Sequence, residues 1–548
     1  MPLPTGPQDE RSWTLPVVSR LPADPRARLR AAVLRAAVGL AVAAAVVVPV
    51  VQFQRATARA LRKAEAFDRA HPNWTPAVGQ ADGPRRPAGD RGAIGRWRKA
   101  VRQFWAGYNI YELLPRRREP PRRPTPPATA TSPRRDDPAR FGRVYMHPNT
   151  PFTVLLLTPF AWLAPPAMAL AFNVLKVLVL AAAALMSARL ACHGRRRIAD
   201  WVLLLALAWT ILPIVGDIQH GNTNVFALGA VVLHLWLYRR GRDTLAGAPL
   251  AVAICLKMTP ALFLLYWLYQ RNWRLLAGAA GWLGMFGVAI PATAVGPGRY
   301  AELTGTWYRH MIRPGLVGGS WYPVHLNQSL SGVVSRYFQD GRNGDIYWGP
   351  DDHPHYDEFA ERMARKPDAP KDRWITLVPR GERAARWLLR AGQVAVVALM
   401  AWAIGWRRLP RDDGRRALHY ALVLLGMMLL NQRTWTHHAA VLLPAGVAVW
   451  QAVAFGRFSR RRRAWALALV LAAGPCIWLL RGELFAGIAR LLGHDDLAAE
   501  RCANVGKACG PTFLYFALLF AAAVLLAAAL RRAADPYAPE RQKLRPGR

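Results

Sequence analysis

Apolar residues in this chain fall into long, nearly uninterrupted runs, and arginine clusters close many of them. Runs of about 20 apolar residues are what a membrane-spanning helix requires. They lie near 36–53, 167–190, 200–215, 223–238, 275–295, 384–405, 416–430, 438–455, 464–480 and 512–530. The stretch 246–270 is also apolar but carries Lys257 and Pro260 in its middle. A mid-helix proline removes a hydrogen bond and clashes with the preceding turn, so two short helices meeting at Lys257 are expected. The run 152–163, closed by Pro165 and Pro166, is too short to cross and reads as a re-entrant or interfacial helix. The pattern predicts an all-α polytopic membrane protein, a bundle of about 11–12 transmembrane helices with extracytoplasmic loops carrying amphipathic and re-entrant helices.

Arginine bias in short loops sets orientation. Four clusters, 239–242, 271–274, 407–416 and 457–463, fall on one side if 152–163 does not cross and the Lys257 break is a hairpin. That side is then the cytoplasm, both termini are cytoplasmic, and the protein sits in the plasma (inner) membrane. The expected organisation is a cytoplasmic tail 1–35, a first transmembrane helix 36–53 and an extracytoplasmic loop 54–151. A transmembrane core 152–296, a large extracytoplasmic loop 297–383, C-terminal transmembrane helices 384–531 and a cytoplasmic tail 532–548 follow. The run 36–53 lacks a small-residue cleavage site and reads as an uncleaved anchor.

Composition narrows the class. With 53% hydrophobic residues, disorder is excluded for most of the chain. Lys and Arg number 73 against 33 Asp and Glu, a net charge of +40. Arginines at the mouths of spans and in one loop account for this excess, so no nucleic-acid partner is expected. Five cysteines are too few for a disulfide scaffold, and no metal-ligand spacing occurs. Cys192, Cys255 and Cys476 read as small core residues. Cys502 and Cys509 share an outer polar loop, where they are candidates for a small loop-closing disulfide.

Polar residues beside hydrocarbon carry the functional information. The turn GDIQHGNTN holds Asp217, Gln219, His220, Asn222 and Asn224 between two apolar helices. Lys257 lies in the broken helix. WYPVHLNQSLSG supplies His325, Asn327 and Gln328, and NQRTWTHH supplies Arg433, His437 and His438. Structural readings stand beside these: Asn222 and Asn224 could pin a tight turn, the histidines could be satisfied at the interface, and a lysine could snorkel. Lys257 resists that reading, because a helix break leaves backbone groups that line a cavity. Basic and amide groups converging on one face favour an anionic ligand, with phosphate the natural candidate.

The first outer loop supplies acids. From Ile94 to Trp105 the apolar residues Ile94, Trp97, Val101, Phe104 and Trp105 recur at three- and four-residue spacing, predicting an amphipathic helix in the headgroup plane. Asp90 precedes it, as a helix cap or as a carboxylate held at the membrane surface. Asp82 and Asp68 lie farther upstream, and a Pro/Arg-rich insertion follows.

The segments YMHPNTPFTVLLLTPFAWLAPPAMALAFNVLK, GNTNVFALGAVVLHLWLYRRGRDTLAGAPLAVAICLKMTPALFLLYWLYQRNWR, NQSLSG and TWTHHAAVLLP resemble glycosyltransferase family 87 of the GT-C superfamily. The resemblance covers roughly 85–115 and 141–455, and the Asn-containing turn, the RRGRD loop and the Lys-x-x-Pro break are its most specific part. It departs from the family where Tyr145-Met146-His147-Pro148 replaces a Tyr-Pro-Pro and where Gly221-Asn222-Thr223-Asn224 replaces a Gly-Gln-x-Asn turn. Gly107 to Tyr111 fits the family's Gly-x-x-x-Tyr element, with Asp90 standing 17 residues before Gly107, nearly one helical turn farther than usual.

The resemblance implies a GT-C bundle, a catalytic Asp in an outer loop and a polyprenyl-phosphate sugar donor, with mannose favoured. Such a hexosyltransferase acts on a lipid or glycan acceptor at the extracytoplasmic face, by inversion. It needs a general base, for which Asp90 is chosen over its rivals Asp82 and Asp68. It also needs groups for the departing phosphate: His325, Lys257, Arg433, His437 and His438, with Asn327, Gln328, Asn222 and Asn224 orienting sugar or phosphate. The partners are the lipid-linked donor, the acceptor and the bilayer, and neither metal nor other cofactor is required. Two other classes share parts of this pattern: a transporter or flippase of lipid-linked sugars, and a ligase of lipid-linked glycans.

Overall fold

The fold is taken from a computed structural model that describes residues 25–71, 92–111, 149–191, 198–313, 326–338, 381–479 and 482–531. Every regular element among them is helical, and the chain is an all-α polytopic membrane protein. The helices are α1 (Pro25–Ala70), α2 (Gly92–Trp105), α3 (Pro151–Ala161), α4 (Pro165–Ala191), α5 (Asp200–His220) and α6 (Asn224–Arg239). Next come α7 (Asp243–Leu256), α8 (Leu262–Tyr269), α9 (Trp273–Val295), α10 (Pro297–Trp307), α11 (Leu330–Phe338) and α12 (Glu382–Ile404). The last six are α13 (Arg415–Leu430), α14 (Leu443–Phe455), α15 (Arg460–Trp478), α16 (Gly482–Leu491), α17 (Asp496–Ala508) and α18 (Pro511–Leu530).

Among the described residues six helical stretches are long and apolar enough to cross a bilayer, or seven if the bent pair α15–α16 is one span. This is fewer than the runs in the sequence suggest. Helices α3, α6, α7 and α13 have 11, 16, 14 and 16 residues. At 1.5 Å per residue they are about 16–24 Å long, short of a ~30 Å hydrocarbon layer. Nearly all of α13 is buried inside the bundle, so protein rather than lipid surrounds it.

Three polar segments of the sequence are more helical than their composition suggested. Helix α1 does not stop at residue 53 but continues to Ala70. Residues 54–70 are rich in Ala and Arg, which are strong helix formers. The polar stretch around Cys502 and Cys509 carries a pair of helices, α16 and α17, packed on one another through Ala486, Ala489, Ala499 and Ala503. The segment after 296 begins with α10 and a π-helical turn, Tyr308–Ile312.

The bundle has two chemically different ends. At the arginine end, Arg411 pairs with Asp243 at 2.7 Å. Arg416 donates to the Pro410 carbonyl at 2.7 Å, to the Tyr266 hydroxyl at 3.1 Å and to the Leu409 carbonyl. Its guanidinium also lies over the Tyr238 and Trp267 rings, at 5.1 and 5.9 Å. Trp267 donates to His234 Nε2 at 2.8 Å, tying α8 to α6. The main hydrophobic core fills the middle of the bundle, and a smaller one joins α2, α3 and α4 with Phe53 and Leu303.

Helices α7 and α8 form a hairpin rising from the arginine end, with its tip at Lys257. Helix α7 ends there because Lys257 is extended (φ −151°, ψ 122°), and a 3-10 turn, Thr259–Ala261, carries Pro260 at a helix start where no N–H is needed. The Cys255 carbonyl accepts from Thr150 Oγ1 at 2.9 Å and Thr153 Oγ1 at 2.8 Å. The start of α3 thereby satisfies backbone that the break exposes.

Candidate functional site

The site is built on the turn between α5 and α6. Gly221 ends α5 in the left-handed region (φ +66°), and Asn222 N–H then reaches the Asp217 carbonyl at 3.1 Å, the closing pattern of a helix C-terminus. Asp217 also begins the next helix. Its Oδ1 accepts from Asn224 N at 3.1 Å and from Asn224 Nδ2 at 2.8 Å. Its Oδ2 pairs with Lys176 Nζ of α4 at 2.9 Å, and the same ammonium donates to the Asp217 backbone carbonyl at 2.9 Å. Both side chains are out of contact with solvent, at 1% and 0% exposure. A charge buried this deeply persists only when paired and hydrogen-bonded, and this one is both.

The 431–438 segment lies against that turn. Asn222 Nδ2 contacts His437 Nε2 at 2.8 Å, and the His220 and His437 rings are 5.1 Å apart. His438 meets His437 edge-on at 4.9 Å, and Trp435 lies parallel to His438 at 6.3 Å. A Cβ on Gly216 would touch His437 Cβ at 3.4 Å, so α5 passes close behind the imidazole.

Lys257 comes up from the hairpin tip into this group. It is within electrostatic range of Asp217, Arg96, His437 and His438. Asp217 is the one carboxylate among the described residues in range of Lys257 and His220, and Lys176 already neutralises it. Among the described residues no hydrogen bond or ion pair engages the Lys257 ammonium. Helix α2 covers the turn: Trp97 Nε1 donates to the Gly221 carbonyl, and α2 brings Arg96 within range of His220 and Lys257.

Lys257, Asn222, Asn224, His437 and His438 thus converge. Asn327 and Gln328 hold structure instead. Asn327 Nδ2 donates to the Gln432 carbonyl at 2.8 Å, and its Oδ1 accepts from Thr434 N at 3.0 Å and Ser329 Oγ at 2.9 Å. Gln328 N donates to the Thr434 carbonyl at 2.6 Å, and its Nε2 to the Lys507 carbonyl at 2.8 Å. These amides therefore fasten the 431–438 segment. Half-buried Arg433 accepts through its carbonyl from Asn431 Nδ2. Asp68 sits in the last turn of α1, about 21 Å along the axis beyond Gln54, which donates to Pro166. Asp90, Asp82 and His325 lie outside the described residues.

The candidate Cys502–Cys509 disulfide is not formed, and both thiols are free. Cys502 is in α17 and Cys509 follows its last residue. Seven residues of helix separate them by about 10 Å, beyond the span of a disulfide. The sequence reading also passed over Lys176 and its pairing with Asp217. The signal was present: Lys176 is the one acidic or basic residue between Pro165 and Ala184 in an apolar helix. Among the described residues no group of three His, Cys, Asp or Glu side chains could hold a metal ion.

No solved structure matches this chain. One relative is a polyprenol-phosphate-mannose-dependent alpha-(1-2)-phosphatidylinositol mannoside mannosyltransferase of Mycobacterium tuberculosis, 27% identical over 343 residues, 60% of this chain and 66% of the relative. A protein of the same description from Mycolicibacterium smegmatis is 24% identical over 340 residues, 59% and 64% of the two chains. The chain therefore spans just under two thirds of the length of these curated relatives. The pattern of glycosyltransferase family 87 matches residues 147–431, just over half of the chain and including the helix hairpin, the GNTN turn and Asn327. The chain belongs to glycosyltransferase family 87.

Proposed function

We propose that this chain is a hexosyltransferase that takes a sugar, mannose in the first instance, from a polyprenyl-phosphate donor and passes it to a lipid or glycan acceptor. The observation that carries this reading is the Lys257 ammonium, engaged by no described residue and within electrostatic range of His437, His438 and Arg96, while the nearby carboxylate is already neutralised. A half-buried cation with no counter-ion among the described residues calls for an anionic ligand. The donor's phosphate supplies it, and the two relatives, polyprenol-phosphate-mannose-dependent mannosyltransferases, support this choice.

The reaction needs few parts. The acceptor oxygen attacks the anomeric carbon as its proton passes to a carboxylate, the bond from that carbon to the phosphate oxygen breaks, and the configuration inverts. General-base assistance of this kind contributes ~10²–10⁴-fold. We assign the base to Asp90, two positions before the described start of α2, the helix that covers the turn. Charge growing on the departing phosphate is met by Lys257, His437 and His438, a preorganised electrostatic term of the kind that dominates many enzymes. The site faces the extracytoplasmic side, opposite the arginine end, as the positive-inside rule requires. The protein lies in the inner membrane with both termini cytoplasmic.

The test is transfer itself. Purified full-length protein in lipid nanodiscs, given polyprenyl-phosphate-[¹⁴C]mannose and a membrane lipid extract, is expected to yield a labelled glycolipid or glycan. Asp90→Asn is expected to abolish the product with unfolding temperature unchanged. Loss in Asp82→Asn with retention in Asp90→Asn moves the base. Donor crossing the bilayer without any transfer overturns the reading in favour of a transporter.

A further inference from the structure

Resting on the reading above, we infer that the buried Lys176–Asp217 pair is the positioning unit of the transferase site, setting the turn that holds His437 against the donor phosphate. Asp217 occupies a node. One carboxylate oxygen takes the Lys176 ammonium, and the other takes the backbone and side-chain nitrogens of Asn224. Its carbonyl takes Lys176 Nζ and the Asn222 N–H. The bonds from Asn222 N and from both nitrogens of Asn224 thus return to one residue, anchored on a third helix, α4. Five residues from that node, Asn222 makes its 2.8 Å contact with His437 Nε2.

The consequence is a division of labour between two lysines of the same bundle. Lys176 is paired and fully buried, so it cannot meet a substrate. Lys257 is half-buried and uncommitted among the described residues. Asn224, whose amide is spent on Asp217, belongs with Lys176 as a positioning residue, whereas Asn222 reaches into the site. With the amide nitrogen of Asn222 as donor, the His437 ring accepts at Nε2 and carries its proton on Nδ1, so the turn also selects the tautomer. A displacement of about 1 Å in such a constellation costs up to ~100-fold in rate without abolishing substrate binding.

The experiment compares Asp217→Asn, Lys176→Met and Asn224→Ala with wild type in the nanodisc transfer assay, reading kcat and donor KM separately. All three are expected to lower kcat by about 10–100-fold with donor KM within about threefold, as misplacement of a catalytic group predicts. Lys176→Met combined with Asp217→Asn is expected to recover part of the loss, because the double change leaves no unpaired buried charge. Asn224→Ala is also expected to displace the pH–rate profile in the same sense as Asn222→Ala, which a general loosening of the fold would not do. Asn224→Ala keeps the ion pair, so it decides the matter if the charge variants fail to fold. Wild-type kcat in Asn224→Ala, or a donor KM that rises while kcat holds, overturns this inference alone. A wild-type protein that transfers no sugar overturns the parent reading instead.

Discussion

Trp97 Nε1 donates to the Gly221 carbonyl at 3.3 Å, joining helix α2 of the first polar segment to the turn between α5 and α6. The junction has no slack. A Cβ on Gly221 would lie 2.6 Å from Ile94 Cγ1 and 3.2 Å from Ile94 N. Together with the apolar packing of α2 on α3 and α4, this junction registers a segment far away in sequence on the helices that hold Lys176, Asp217 and Asn222.

Gly221→Ala therefore carries two separable penalties. A non-glycine residue in the left-handed region costs about 1–2 kcal/mol, and the new methyl group pushes on Ile94. The single variant is expected to lower both Tm and transfer activity. Adding Ile94→Ala should restore activity in part by relieving the contact, while the backbone penalty keeps Tm below that of Ile94→Ala alone. Thermal unfolding in detergent and the transfer assay measure the two effects. Equal activity in the single and double variants would show that α2 is not registered through this glycine.

The two buried lysines respond oppositely to removal. Lys257→Met takes away a cation that no described residue engages, so Tm is expected to hold or rise while donor KM rises at least tenfold, about 1.4 kcal/mol of binding. Lys176→Met strands Asp217 in the core, and loss of one partner of a buried pair costs about 3–5 kcal/mol. Its Tm is expected to fall by many degrees. Binding of a non-hydrolysable donor analogue and unfolding curves separate the two; a stability loss in Lys257→Met would reassign that lysine to structure.

The parts legible in the sequence are those where a polar residue interrupts an apolar run by itself. Lys257, with Pro260 beside it, marks the break that becomes the hairpin tip, and the polar residues of 216–224 mark the turn after α5. Lys176 was hidden because its partner lies 41 residues away on another helix, and a lone lysine in a span reads as snorkelling until that partner is found. Asn224 and Asn222 look equivalent in GNTN, and only the tertiary contacts send one to Asp217 and the other to His437. Residues 54–70 read as loop because they are polar, yet polarity excludes only the hydrocarbon, not the helix. The cysteine pair misled for the same reason: two thiols in a polar stretch are near in sequence but held apart by an unforeseen helix.

Three side chains of the 328–337 segment cap the end of α17. Gln328 Nε2 donates to the Lys507 carbonyl at 2.8 Å, Arg336 Nε to Ala508 at 3.0 Å and the Tyr337 hydroxyl to Cys509 at 2.9 Å. Arg336 also donates to the Asn327 carbonyl at 2.7 Å, so its buried guanidinium links the helical pair α16–α17 to the segment that fastens Thr434. A cation here also meets the negative end of the α17 dipole. Arg336→Met is expected to loosen the pair without unfolding the bundle. Maleimide labelling of the half-buried Cys502 should accelerate several-fold, with Tm of the spans little changed, and an unaltered labelling rate would show that α17 is held by its apolar face alone.

Helices α7 and α9 meet through glycines. A Cβ on Gly278 would lie 2.6 Å from Thr244 Cα, and one on Gly247 would lie 2.4 Å from Ala279 N. Within a bilayer, close packing of this kind takes the place of the hydrophobic drive that water supplies elsewhere. One turn along the same helix, Gly281 has nothing within 4 Å of a Cβ position. The matched pair isolates packing from helix propensity. Gly281→Ala should stabilise by about 0.5–1 kcal/mol, since alanine is the better helix former. Gly278→Ala should instead destabilise by about 1–3 kcal/mol, because the contacted atoms are backbone and the helices must part. That separation moves α7, whose end carries Lys257, so Gly278→Ala is expected to weaken transfer as well as folding. Tm and kcat of the two variants, measured side by side, check both parts; equal behaviour would mean that the α7–α9 contact does not position the hairpin.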